Sequence, residues 1–223
     1  MYSGYITDVE GIKVGHSQSS EGMTGCTVVI CEDGATAGVD VRGSAPGTRE
    51  TDLLNAEKMV NKIHAVLLSG GSAFGLDAAG GVMKFLEDKK IGFDVGVTKV
   101  PIVSGAVIFD LDIGDYSIRP NFNMGYLAAK NAKEEEKSQG NIGCGMGATV
   151  GKILGPEYSM KSGIGSASMN VGNLWVGAII AVNSFGDVYD YETNNILAGA
   201  YDYKNKKLLN SYEIMKEEKN SKD

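Results

Sequence analysis

The fold is decided by residues 175–190, which read Trp-Val-Gly-Ala-Ile-Ile-Ala-Val-Asn-Ser-Phe-Gly-Asp-Val-Tyr-Asp. From Val176 to Val182 every residue is apolar or glycine, so neither a helical nor an alternating pattern is visible. A short unbroken apolar run is typical of a strand that is covered on both faces. The run therefore predicts a buried strand at the centre of the fold.

The polar residues that end this stretch predict a functional position. Asn183 follows the apolar run directly, and Asn, Ser, Gly and Asp between residues 183 and 187 all favour a turn. Asn183 is therefore expected where a buried strand meets a cavity or the surface. An amide in such a place can donate hydrogen bonds to a reacting carbonyl oxygen.

Length and composition predict one globular domain. The chain has 223 residues and no Pro- or Ser-rich linker, and its 31 glycines against 4 prolines indicate many tight turns and close backbone approaches. The expected domain spans residues 1–212. Residues 213–223 are almost entirely polar, which predicts a mobile tail.

Charge and cysteine content exclude several classes of function. The net charge of −7 and the lack of a basic stripe argue against nucleic acid as a partner. The first residues do not form a signal peptide and no apolar run is long enough to span a bilayer, so a cytoplasmic protein without a membrane partner is expected. The three cysteines lack CxxC spacing and a nearby His cluster, so neither a metal site nor a disulfide is predicted.

Local patterns predict helices and short strands in a layered α/β fold. Residues 26–31 and 36–42 are strand-like and flank a Glu-Asp-Gly turn, which predicts a hairpin. Helices are expected after Gly47, where one begins at Thr48 or Thr51 and ends near Lys62, and also after Gly71 and Phe122. Strands from residue 148 onward follow one another through short turns, so they are expected to form one antiparallel layer that the helices cover.

Two glycine-rich segments are candidates for contact with a ligand. Residues 69–75 join a strand to a helix, but they lack the P-loop lysine, so close packing of helix and strand is the simpler interpretation than phosphate binding. In residues 140–152 alternate glycines, including Gly145 and Gly147, remove side chains from one face of a predicted strand, so another group can lie against the backbone. Lys152 ends this segment. It is either a solvated surface lysine or a partly desolvated one whose lowered pKa suits proton transfer.

The two histidines give little support for a catalytic triad. His16 and His64 lie in apolar surroundings, which is typical of structural histidines, and the sequence has no GxSxG motif. A serine hydrolase of the Ser-His-Asp kind is therefore not predicted.

Several linked motifs carry a resemblance to a known family. They are Ile6–His16, Thr24–Val29, Val41–Thr51, Ser69–Asp77 and Val176–Asp190. Together they resemble the DmpA/NylC family of autoprocessing aminopeptidases and amidases. The resemblance implies an αββα sandwich and a precursor that cleaves itself before a Ser or Thr. That residue becomes the N-terminal nucleophile of a second chain, the β chain, whose terminal amine can accept the proton of its own hydroxyl.

The resemblance also implies roles for individual residues. Asn183 corresponds to the family's oxyanion donor, and Lys152 to the lysine that ends a Gly-Ala-Thr-Val-Gly-Lys element. Phe109 stands where some relatives carry Tyr, and with Gly145 and Gly147 it is expected to line the substrate pocket. The substrates implied are small peptides or amides, and no cofactor is expected.

The family's processing site does not occur before Asp223, so the sequence is expected to be the α chain. The nucleophile would then belong to a β chain from the same precursor, in an oligomer of αβ units, and the α chain alone would be inactive. Two alternatives remain open from the sequence. One is a non-catalytic binding or structural subunit with the same fold, and the other is an acyltransferase of the ornithine acyltransferase type.

Overall fold

The computed structural model describes residues 4–220. The strands in this part of the chain are β1 (Ile12–Ser19), β2 (Thr24–Ala35), β3 (Thr48–Arg49), β4 (Ile63–Ser69), β5 (Phe93–Asp94), β6 (Lys99–Val100), β7 (Val103–Val107), β8 (Thr149–Val150), β9 (Met160–Lys161), β10 (Ile164–Val171), β11 (Leu174–Ala181), β12 (Val188–Tyr189), β13 (Ile196–Ala198), β14 (Tyr201–Asp202) and β15 (Lys207–Leu208). The α-helices are α1 (Ala78–Asp88), α2 (Phe122–Lys130) and α3 (Ser211–Asn220). Short 3-10 helices include Ile6–Asp8, Asp52–Leu54, Ser72–Asp77 and Gly143–Gly147.

A five-stranded sheet in the order β1-β2-β4-β7-β3 forms the framework. Strands β4 and β7 are parallel, and the other neighbours are antiparallel. Strand β2 alternates at period two, so Cys26, Val28 and Ile30 share one face and are buried there. That face packs against α1 and α2.

The core lies between this face and the two helices. The sheet contributes Cys26, Val28, Ile30, Ala65, Leu67 and Val103, and the helices contribute Ala78, Ala79, Val82, Leu86, Ala128 and Ala129. In α1 the residues Ala78, Val82 and Leu86 recur every four residues, which gives this helix one apolar stripe toward the sheet. Among residues 4–220, no helix is both long and apolar enough to cross a membrane.

Strands β10 and β11 form a hairpin outside the main sheet, with Ile164 opposite Ala181 and Val171 opposite Leu174. One face is partly polar and is covered by the 3-10 helix at residues 6–8. The backbone N–H of Ile6 donates to Ser166 Oγ at 2.7 Å, and Ser168 Oγ donates to Asp8 Oδ2 at 2.6 Å.

The opposite face of this hairpin is apolar and exposed. We call it the apolar hairpin face, and its large side chains are Met169, Val171, Leu174, Val176 and Ile180, which are 40–61% exposed. The prediction of a buried central strand at Val176–Val182 is therefore wrong for this chain. The strand exists, but among the described residues β10 alone pairs with it, and nothing covers its apolar face.

Other local predictions also differ from the structure. The helix predicted from residue 48 to Lys62 is wrong, because Glu50 has a left-handed φ of +55° that breaks a helix, and only Asp52–Leu54 turns. Residues 36–42 form no strand, since β2 continues to Ala35 and pairs with β1 and β4 instead. Within the predicted strand at 140–152 only Thr149–Val150 forms a strand, whereas Gly143–Gly147 is a 3-10 helix. Gly140, Gly143 and Gly151 have positive φ, which interrupts an extended backbone.

The chain after residue 148 forms separate pairs, β8–β9, β10–β11, β12–β13 and β14–β15, rather than one antiparallel layer. Residues 213–220 of the expected mobile tail lie in α3, and the mobility of this segment stays a prediction. Ser211 N–H and Oγ donate to Asp187 at 2.7 and 2.6 Å, and Asn210 Oδ1 accepts from two N–H groups of the first turn. These contacts start the helix. Residues 221–223 lie outside the described part of the chain.

Helices α1 and α2 approach closely at Gly81, where an added Cβ would overlap the Phe122 carbonyl oxygen. We expect Gly81→Ala to destabilise the fold by about 1–3 kcal/mol, although alanine is the better helix former. Gly80→Ala is the matched control, because a Cβ there would meet only the Phe122 ring edge at 3.3 Å. Urea denaturation of both variants measures the difference. Equal stabilities would contradict the close-packing explanation.

Candidate active site

The side chain of Asn183 is held where β11 ends. Its Oδ1 accepts from Lys152 Nζ at 2.7 Å and from Thr149 N–H at 3.0 Å. Its Nδ2 donates to the Phe109 carbonyl oxygen at 3.0 Å. An amide nitrogen carries two hydrogens. Among the described residues the second one has no acceptor, and the residue is half-buried, so this hydrogen is available to a ligand.

Lys152 determines which way the amide points. An ammonium group can only donate, so the atom that faces Nζ must be the amide oxygen, and Nδ2 must face Phe109. Burial lowers the pKa of Lys152, while the carboxylates of Asp112 and Asp110 act in the opposite direction. Of the two states that the sequence left open for Lys152, the structure has the partly desolvated one. Its bonds favour an orienting role for this lysine.

The turn after β11 is tied to the backbone beside Lys152. Gly151 N–H donates to the Gly186 carbonyl at 2.9 Å, and Lys152 N–H donates to the Phe185 carbonyl at 2.7 Å. Side chain and backbone of Lys152 therefore both bind the turn that carries Asn183. This double attachment makes the two residues one structural unit.

The structure adds a buried carboxylate that the sequence analysis did not single out. Asp110 follows Phe109 and is 2% exposed. It accepts hydrogen bonds from Gly71 N–H at 2.6 Å and from Thr24 Oγ1 at 2.7 Å. Burial raises the pKa of Asp110, and these hydrogen bonds oppose that rise. The sequence feature that could have indicated a buried carboxylate is the position of Asp110 between Phe109 and Leu111 in an apolar segment.

A second lysine lies near this carboxylate. Lys161 Nζ donates to the carbonyl oxygens of Met146 and Ala148 at 2.7 and 2.8 Å. Burial lowers the pKa of Lys161, and the charge of Asp110 acts against that change. Lys161 in β9 is the strand partner of Thr149 in β8. It therefore stabilises the position of Thr149, whose N–H donates to Asn183.

The three residues predicted to line the pocket are placed differently. Phe109 is exposed, and its carbonyl oxygen, not its ring, bonds Asn183. Gly145 is buried against the backbone of Ile164, and Gly147 is buried against Asp110. The glycines do allow another group to lie against them, but here that group belongs to the same chain. Contact of these residues with a substrate stays a prediction.

The histidines have structural surroundings. His16 Nδ1 lies 2.8 Å from Thr27 Oγ1, and His64 Nδ1 accepts from Ile102 N–H at 3.2 Å. Burial lowers the pKa of both imidazoles. Between residues 4 and 220, no group of three or more His, Cys, Asp or Glu is arranged to hold a metal ion.

Two solved structures show the same fold. The L-aminopeptidase D-Ala-esterase/amidase of Ochrobactrum anthropi, described as a variant of the Ntn-hydrolase fold, aligns with a TM-score of 0.64 at 18% identity over 80% of this chain and 53% of that one. A β-aminopeptidase of Burkholderia sp. aligns with a TM-score of 0.60 at 20% identity over 82% and 54%. The chain is thus a mixed α/β protein with the fold of these aminopeptidases, and the predicted fold class is confirmed.

Sequence comparison defines the family. Residues 4–221 match the model of peptidase family S58. An uncharacterised aminopeptidase of Mycobacterium leprae is 43% identical over 204 residues, which are 84% of this chain and 54% of the relative. A 6-aminohexanoate-oligomer endohydrolase of Kocuria sp. is 32% identical over 195 residues, or 87% and 52%. The chain belongs to peptidase family S58, which confirms the resemblance to the DmpA/NylC family. It spans about half the length of these curated relatives.

The surroundings of Lys152 generate a prediction about its titration. Because burial outweighs the nearby carboxylates, we expect Lys152 to lose its proton below the ordinary lysine value of 10.5. Lys84 is the control, since its hydrogen bond to Asp88 raises its pKa above 10.5. A pH titration of the lysine Cε resonances measures both. A pKa of Lys152 equal to or above that of Lys84 would contradict the conclusion that burial lowers the pKa of Lys152.

Proposed function

We propose that this chain is the α chain of an amide hydrolase that cleaves small peptides or amides, with its Ser or Thr nucleophile on a β chain. The membership in a peptidase family supports this proposal, as do the relatives named aminopeptidase and 6-aminohexanoate-oligomer endohydrolase. The main observation in its favour is the Asn183 amide, which Lys152 orients and whose second Nδ2 hydrogen has no acceptor among residues 4–220.

In this proposal Asn183 stabilises the oxyanion of the reaction. The second Nδ2 hydrogen binds the carbonyl oxygen of the scissile amide, and the bond strengthens as negative charge develops on that oxygen. The Lys152 ammonium at Oδ1 polarises the amide, which makes Nδ2–H a better donor. The three hydrogen bonds of the side chain fix its direction before substrate arrives. This preorganisation avoids reorientation during the reaction.

The remaining steps belong to the β chain. Its terminal amine accepts the proton of the Ser or Thr hydroxyl, and the oxygen attacks the carbonyl carbon. The tetrahedral intermediate collapses, the amine product leaves with that proton, and an ester to the nucleophile remains. Water then adds to the ester, and the acid product is released as the hydroxyl regains its proton. No cofactor takes part in this scheme.

The apolar hairpin face supports the presence of a second chain. Soluble proteins rarely leave a contiguous apolar sheet face uncovered, and a two-stranded hairpin is marginally stable alone. The face lies on the strand that leads into Asn183, so a covering chain would be adjacent to the candidate site. We propose that the β chain comes from the same precursor by self-cleavage and covers this face.

The proposal extends to assembly and location. We propose an oligomer of αβ units, as the family resemblance implies, in the cytoplasm. The three cysteines are free thiols and two of them are buried, which is compatible with a reducing compartment.

The role of Asn183 is tested in the enzyme made from the complete gene. We expect Asn183→Ala to lower kcat for small peptide amides by about 10²-fold or more, because the oxyanion loses its donor. Asn173→Ala in the exposed hairpin turn is the control and should leave kcat unchanged. Steady-state kinetics on both variants provide the measurement.

Three outcomes would contradict the proposed function. Full activity of Asn183→Ala removes the oxyanion role. Failure of the wild-type enzyme to hydrolyse any peptide, β-peptide or amide substrate supports a non-catalytic subunit. Transfer of the acyl group from acyl-ornithine to an amine, with no hydrolysis, supports an acyltransferase.

The proposed cover of the apolar hairpin face is tested by charge substitution. We expect Ile180→Lys to abolish co-purification of a second chain, because it buries an unpaired ammonium in the interface. Asn170→Lys lies on the opposite face of the same hairpin and should keep the complex intact. Intact mass spectrometry of the purified protein detects both chains. If the second chain still co-purifies with Ile180→Lys, the β chain does not cover the apolar hairpin face.

A further inference from the structure

The carboxylate of Asp110 is bound at both oxygens inside the fold. Oδ1 accepts from Gly71 N–H at 2.6 Å, and Oδ2 accepts from Thr24 Oγ1 at 2.7 Å. Distances this short are typical of hydrogen bonds to an ionised acceptor. Both donors lie on segments far from residue 110 in sequence. The side chain therefore joins the start of β2, the turn after β4 and the segment after β7.

Two glycines make room for this carboxylate. A Cβ at Gly70 or at Gly147 would overlap Oδ2 of Asp110. A third glycine, Gly71, has a φ of +79° and presents its N–H to Oδ1. Both glycine-rich segments of the sequence thus contribute to the space around one side chain. Close packing on Asp110, and not phosphate binding, accounts for these three glycines.

Asp110 is covalently next to the acceptor that holds Asn183. The Phe109 carbonyl oxygen accepts from Asn183 Nδ2 at 3.0 Å. This carbonyl is part of the peptide bond between Phe109 and Asp110. The preceding residue is also fixed, because Ile108 N–H donates to the Ser69 carbonyl and Ser72 N–H donates to the Ile108 carbonyl. The direction of the Phe109 carbonyl is thus fixed from two sides, by the backbone bonds of Ile108 and by the side chain of Asp110.

We propose that Asp110 is a positioning residue of the candidate site. Its buried carboxylate fixes the Phe109 carbonyl, and this carbonyl fixes the direction of the Asn183 amide. Asp110 does not touch the substrate in this scheme. The inference rests on the proposed function for its effect on turnover, while its effect on the amide itself is independent of that function.

The chain offers a matched control for the charge of Asp110. Asp112 and Asp110 both favour the protonated form of Lys152, and Asp112 has the larger effect. Asp112 is exposed and takes no part in the hydrogen bonds to Thr24 and Gly71. Asp112→Asn therefore removes a negative charge near Lys152 and leaves the anchor intact. Asp110→Asn removes a charge and weakens the anchor.

The test compares these variants in the enzyme made from the complete gene. Both should shift the titration of Lys152 to lower pH, because each removes a carboxylate that stabilises the ammonium. Only Asp110→Asn should lower kcat, by about tenfold to 10²-fold with little change in KM, because the donor is displaced. It should also shift the side-chain NH₂ resonance of Asn183, identified by its loss in Asn183→Ala, and Asp112→Asn should not.

Thr24 provides a second pair in case Asp110→Asn does not fold. Thr24→Ser keeps the hydroxyl that binds Oδ2, so kcat and the position of the Asn183 resonance should be unchanged. Thr24→Val keeps the shape but removes the hydroxyl, so it should lower kcat and shift the resonance. Equal behaviour of Asp110→Asn and Asp112→Asn, or of the two Thr24 variants, would overturn the positioning role. If Asn183→Ala is inactive while Asp110→Asn is fully active, this inference fails and the proposed function stands. If Asn183→Ala is fully active, the proposed function fails, and the resonance alone decides on Asp110.

Discussion

A lysine ammonium can only donate hydrogen bonds, and this constraint organises the candidate site. Because Lys152 Nζ lies 2.7 Å from Asn183 Oδ1, the amide cannot be turned over without placing two donors against each other. Nδ2 must then point to the Phe109 carbonyl, which lies on a different segment from Lys152. The Asn183 amide has two orientations of nearly the same shape, which differ by the exchange of Oδ1 and Nδ2. The contact with Lys152 selects one of them and so fixes the direction in which Nδ2 donates.

The same contact explains why the lysine is partly buried. Desolvation of an ammonium is unfavourable, and it is tolerated here because Nζ has the amide oxygen as a partner and two carboxylates nearby. Asp110 is buried for a related reason, since both of its oxygens accept hydrogen bonds. The site is therefore a partly buried polar network whose charged groups are held by hydrogen bonds. Such networks are destabilised strongly when one member is removed.

The sequence predicted the parts of this arrangement that depend on local chemistry. The position of Asn183 is indicated by an apolar run that ends in turn-forming residues, while Lys152 follows a glycine-rich segment that left its state open. The catalytic roles of both residues stay predictions. The placement of Val176–Val182 was wrong, since an apolar run shows that a strand needs cover but not which chain supplies it. The helix at 48–62 failed at Glu50, whose positive φ no propensity indicates. Asp110 was missed because its partners, Thr24 and Gly71, come together only in the folded chain.

In the proposed enzyme, catalysis and assembly would be coupled through β11. This strand ends at Ala181, two residues before Asn183, and it exposes one apolar face. A hairpin of two strands gains little stability from its own hydrogen bonds, so its order depends on what packs against it. The 3-10 helix at residues 6–8 holds one face through Ser166 and Ser168. A chain that covers the other face would restrict the motion of β11 and, through it, of the amide. In the proposed enzyme, binding of the second chain would therefore complete the fold and align the Asn183 amide in one step.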